Sequence, residues 1–145
     1  MGLFSGFKRI GQAEGMANPA REHLHVTLKL VAKAEQREPF PEEADSQVYW
    51  GIVYALCGEI AVYVGGSNGS TLHDSLMYGT FKQIMNASTA NEVTNVAKSL
   101  ADPKNQTPAF AKGLRSGNEA ATALLSENDP AKFRSILMKA MSRSS

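Results

Sequence analysis

The run from Val48 to Val64 (VYWGIVYALCGEIAVYV) constrains the fold more than any other part of this chain. Its seventeen residues are apolar apart from two glycines and one acid, Glu59. On a helix, Tyr49, Val53, Leu56 and Ile60 form one row, and Trp50, Tyr54, Cys57, Ala61 and Val64 form another. Both rows are apolar, so the helix has no face to offer water and is expected to sit at the centre of a helical domain. A membrane span is the competing reading. Seventeen residues rise only about 25 Å, short of the roughly 30 Å hydrocarbon core, and a mid-span acid costs about 2.5 kcal/mol or more to insert. A buried helix in a soluble protein is therefore expected, with no membrane span.

The rest of the chain can form the shell around such a helix. Asn18 before Pro19 predicts a helix start, and Leu24, Leu28 and Val31 recur at helical spacing up to about Gln36. The segment Arg37 to Pro41 breaks the pattern, because each proline disfavours helix in the residue before it. The central helix then spans about 45–64, with acids in its first turn and Gly65-Gly66 at its end. Ser70 or Thr71 caps a third helix carrying Leu72, Leu76, Phe81 and Ile84, and Thr89 with Glu92 reads as the capping box of a fourth. Thr107-Pro108 and Asp129-Pro130 announce two more. No segment alternates in the manner of a strand. The expected class is all-α, one compact bundle of about five to six helices in residues 18–145, preceded at 1–17 by a flexible or docking amino-terminal tail. Glycines at 2, 6, 11 and 15 argue against a long helix in that tail, whose apolar residues are Leu3, Phe4, Phe7 and Ile10.

A domain of 145 residues buries about 70% of the surface its unfolded chain exposes, so it needs no staples. The single cysteine, Cys57, rules out an intrachain disulfide and behaves as a small hydrophobe in its apolar surroundings. A reducing, cytoplasmic location fits, and the amino terminus lacks the long apolar stretch of a secretory signal. The formal charge of +1 supplies no general pull toward nucleic acid or an anionic membrane. Gly51, Ala55 and Gly58 form a small-residue stripe on the central helix, expected to admit a neighbouring helix at close range.

Candidate chemistry is sparse. Glu59, placed among apolar residues, is expected either to find a cation or to have its pKa raised. Glu22 and His25 form Glu-x-x-His, the spacing that places two ligands on one helical face in di-iron bundles, but a full site needs the motif twice. A set of Glu22, His25, His73 and Glu59 would have to assemble from separate helices, so neither a metal nor a cofactor is expected and no catalytic residue is assigned. Cys57 has no histidine partner, and the GGSNGS loop after Gly65 lacks the lysine of a phosphate-binding loop.

Charge distribution is the remaining signal. Between Glu35 and Asp45 five acids face one base, a local charge of −4. From Lys98 onward eight bases face four acids. The expected function is accordingly a non-enzymatic protein–protein interaction module that binds a basic partner through Glu38, Glu42, Glu43 and Asp45. An inhibitor or immunity-type protein is its most concrete form. Two alternatives remain: a helical metalloprotein or small-ligand enzyme using Glu22, His25 and Glu59, and a subunit of a larger assembly docking through the apolar amino-terminal tail.

Overall fold

The computed structural model describes residues 3–143, with side chains from residue 8 onward. Six helices account for the described secondary structure: α1 (Leu3–Ala34), α2 (Glu43–Tyr63), α3 (Thr71–Phe81), α4 (Ala87–Ala101), α5 (Pro108–Leu125) and α6 (Pro130–Met141). The all-α reading holds, and α2 is the helix around which the others pack. Tyr49, Ile52, Val53, Leu56, Cys57 and Ile60 of α2 are buried. No helix among the described residues is long and apolar enough to cross a membrane.

The first helix departs from expectation. It starts at Leu3 and carries Asn18 and Pro19 in its interior rather than at its start. The reason is a stripe of small residues, Ala13, Ala17 and Ala20, which continues through Leu24 and is buried in the core. Gly11 and Gly15 lie on the opposite, open side. Pro19 withholds the N–H that would reach the Gly15 carbonyl, but both residues are exposed and water can take that acceptor. Asn18, instead of capping a helix, binds within one, its Oδ1 accepting from Arg21 Nη1 at 3.1 Å. Of the apolar tail residues, Ile10 is exposed, while the side chains of Leu3, Phe4 and Phe7 lie outside the described ones.

Other helix ends follow their local chemistry. Glu42 is the N-cap of α2, its N–H donating to Asp45 Oδ2 at 3.1 Å. At the far end Gly65 adopts φ +92°, a conformation natural to glycine, and the N–H of Gly66 returns to the Ala61 carbonyl at 2.7 Å. Ser70, Thr107 and Asp129 cap α3, α5 and α6 through their side chains. The fourth helix starts earlier than Thr89, because Asn86 Oδ1 accepts from the Thr89 N–H at 2.8 Å and is the cap. Ile84 falls in the turn after α3 instead of on it.

The two most extensively packed helices, α2 and α5, run parallel. Gly51 meets Gly113, and Gly117 meets Ile52 and Ala55, so the register advances in the same direction along both. A Cβ on Gly51 would collide with the Phe110 carbonyl, and one on Gly113 with the Val48 carbonyl. A Cβ on Gly117 would come within 2.7 Å of the Ile52 carbonyl. The anticipated close-approach stripe is thus half right. Gly51 and Ala55 face α5, whereas a Cβ on Gly58 would meet Asn68 Oδ1 and lie 3.2 Å from His73 Cε1. Helices α1 and α6 run the other way, Arg134 meeting His23 and Ser142 meeting Glu35.

Candidate functional site

A groove of about 440 Å³ opens where the α1–α2 connection, the start of α5 and the end of α6 converge. Leu28, Phe40, Val48, Pro108, Ala109 and Met141 give it an apolar lining, and Glu42, Asp45, Lys112 and Arg143 supply its charged groups. Three of its walls are fixed by hydrogen bonds. Arg37 Nη2 donates to the Met141 carbonyl at 2.8 Å, and Arg37 Nε pairs with Glu35 Oε1 at 2.8 Å. Glu35 in turn accepts from the Ser142 hydroxyl at 2.6 Å and the Arg143 N–H at 2.9 Å, pinning the connection to the end of α6. On the other side the Thr107 hydroxyl donates to Gln47 Oε1 at 2.6 Å, locking the start of α5 to the start of α2.

The four acids assigned to partner binding fare differently. Asp45 is half-buried and bonded to Arg143 Nη2 at 2.7 Å, with Glu42 3.5 Å from the same guanidinium. Glu43 is exposed and accepts from Gln47 Nε2 at 3.3 Å. Glu38 is exposed in the connection before α2. Part of the acidic stretch therefore serves folding; Glu38, Glu42 and Glu43 remain exposed, and of these three Glu42 lines the groove. The apolar lining and Arg143 were not anticipated from sequence. The only trace in the sequence was the opposition of an acidic 35–45 to a basic carboxy-terminal third, which is in part an internal complementarity.

The other candidates do not converge. Glu22 is exposed on α1, while His25 one turn later is buried. His25 Nδ1 donates to Gln83 Oε1 at 2.9 Å and Nε2 accepts from the Tyr49 hydroxyl at 2.7 Å. His73 Nδ1 accepts from the Gly69 N–H at 2.9 Å, which leaves Nε2–H to donate to the Tyr54 carbonyl at 2.9 Å. Both imidazoles have both nitrogens committed. Glu59, expected to find a cation or to be neutralised among apolar neighbours, is instead exposed at the seam between α2 and α5, and none of the ion pairs among the described residues includes it. Among the described residues no three His, Cys, Asp or Glu side chains are grouped to hold a metal. Cys57 is buried, 3.6 Å from the Thr80 hydroxyl, and burial pushes its thiol up to about 11, far from the thiolate a nucleophile requires.

Burial also lowers the pKa of His25 and His73, because the charged form loses water; the hydrogen bonds to Gln83 and to the Tyr54 carbonyl oppose this without cancelling it. Both are neutral in the fold and titrate near 6.5 when unfolded. Their contribution is therefore intact above about pH 6.5 and is lost as pH falls through the lower folded values, since the unfolded chain takes up protons first. Chemical denaturation between pH 7.5 and 5 should show stability declining with acid. In His73→Gln the decline should be shallower, and a slope identical to wild type would remove His73 from this account.

A scan against protein-family models found no match, nor did comparisons with curated proteins and with solved structures, so the groove and the surfaces around it are the observations on which function is argued.

Proposed function

We propose that the protein is a cytoplasmic, non-catalytic interaction module that holds a segment of a basic protein partner. In this reading an apolar side chain of the partner enters the groove, and flanking Lys or Arg residues face Glu38, Glu42 and Glu43. The groove carries the argument: its apolar lining adjoins the exposed Glu42, in the same acidic stretch that carries Glu38 and Glu43 at the surface. Apolar anchors in pockets give affinity, and edge charges govern encounter rate and partner choice. An inhibitor of a basic toxin or enzyme is the most concrete form.

Selection of random peptides displayed on phage, against the intact protein at low salt, tests this reading. Enriched sequences should place Lys or Arg next to Leu, Phe, Ile or Met. Ala109→Trp, which fills the groove, should abolish their binding, and Glu42→Lys with Glu43→Lys should slow association and flatten its salt dependence. Enrichment of peptides without bases, or binding indifferent to both variants, would place the partner elsewhere.

A further inference from the structure

The parallel course of α2 and α5 brings their carboxy-terminal ends together at the end of the bundle opposite the groove. A helix carboxy terminus carries roughly half a negative charge, and two side by side reinforce each other. Lysines temper this in the last turns of α1, α4 and α6, at Lys33, Lys98 and Lys139, but α2 and α5 have no base there. Between the two ends lies a notch of about 130 Å³ lined by Glu59, Val62, Tyr63, Thr122 and Leu125. That is room for the end of one side chain, well below the roughly 300–1,000 Å³ of a small-molecule pocket. Tyr63 is 60% exposed and Val62 48%, so both can be reached from solvent. None of the ion pairs among the described residues includes Glu59. The nearby Glu127 is held by Lys132. The Arg9 guanidinium lies beside Gly65, just past the end of α2, and offsets part of the charge of that end, which leaves Glu59 as the notch's own anionic group.

We propose that the notch at the joined ends of α2 and α5 is a second docking point, receiving an arginine or lysine side chain of a protein partner. The carboxylate of Glu59 pairs with the cation, the face of Tyr63 stacks against it, and Val62 with Leu125 take the apolar stem and its neighbours. Charge complementarity selects this occupant, since the exposed carboxylate of Glu59 enters none of the ion pairs among the described residues, so it attracts a cation and repels an anion. The site is independent of Glu38–Asp45, which lie at the other end of α2.

The test is a titration of ¹⁵N-labelled full-length protein with the tripeptide acetyl-Leu-Arg-Leu-amide, monitored by amide chemical shift. Shifts should concentrate at residues 59, 62, 63, 122 and 125. Replacing the arginine of the probe with neutral, isosteric citrulline should abolish them. Glu59→Gln and Tyr63→Ala, both at exposed positions, should each weaken binding by roughly two- to fivefold, whereas Tyr63→Phe keeps the ring and the affinity. Glu42→Lys with Glu43→Lys should leave this binding unchanged, so failure here and failure of the groove reading are told apart. Equal response to the citrulline peptide, shifts confined to residues 38–45, or indifference to Glu59→Gln would overturn the proposal. Tighter binding of spermine than of the peptide would assign the notch to free polyamines and overturn the protein partner.

Discussion

Gly113→Leu should destabilise the protein by about 3 kcal/mol or more, at or beyond the upper end of ordinary overpacking, and should leave it largely unfolded at modest denaturant. The expectation rests on what a side chain would meet there. Even a Cβ at Gly113 collides with the Val48 carbonyl and comes within 2.9 Å of Gly51 Cα, and backbone cannot step aside as the tip of a flexible side chain can. The reciprocal substitution, Gly51→Ala, should also destabilise despite the gain of up to about 1 kcal/mol that alanine brings to a helix interior. Gly15→Ala supplies the control with the opposite sign. It lies in α1 with nothing within 4 Å of the added carbon, so it should stabilise by about 0.5–1 kcal/mol. Urea denaturation of the three variants decides the matter, and a Gly113→Leu protein as stable as wild type would refute the close parallel crossing.

Arg21→Ala should cost about 3 kcal/mol. The side chain is 4% exposed and threads between α1 and α3, where Nε donates to the Thr80 hydroxyl at 2.9 Å and Nη2 to the Leu76 carbonyl at 3.0 Å. Nη1 pairs with Glu14 at 2.7 Å, and Gly79 leaves the space the guanidinium occupies. Truncation removes these bonds and opens a cavity. Arg21→Met separates the two losses. Glu14, whose side chain is 38% exposed, can turn to water, and the Leu76 carbonyl still accepts from the Thr80 hydroxyl at 2.7 Å. The methionine variant should therefore lose only about 1 kcal/mol, because packing is largely kept and no buried acceptor is stranded. Equal losses in both variants would assign the effect to the hydrogen bonds rather than to the packed stem.

Helix existence was legible wherever a local signal decided it. The Thr107-Pro108 and Asp129-Pro130 pairs mark their helix starts because the cap needs only residues three apart. The long apolar run declares α2 because no other arrangement hides it. What was misread depended on partners distant in sequence. Glycines at 11 and 15 lower helix propensity, but the buried alanines on the other face of α1 outweigh them, and only the core reveals that those alanines have something to pack against. Glu59 looked buried from its neighbours because a helical wheel drawn from one segment cannot show where the next helix stops. The groove was least visible of all. Phe40, Pro108 and Met141 come from three separate segments, and each is ordinary until the chain brings them together. Glu42, Asp45 and Arg143 likewise reveal an internal role only when their carboxylates and guanidinium meet.

The parallel pairing of α2 with α5 also bears on how the chain reaches this state. Adjacent helices joined by a short loop lie antiparallel and find each other early, but Gly51 and Gly113 are separated by 62 positions, with α3 and α4 forming the return path. The largest interface thus closes a long loop, and its entropy must be met before the tight contact gives anything back. Folding should accordingly be slower than for bundles built from successive hairpins, with the α2–α5 seam among the later contacts to form. Mild destabilisation at the seam, as in Gly51→Ala, should then appear mainly as faster unfolding.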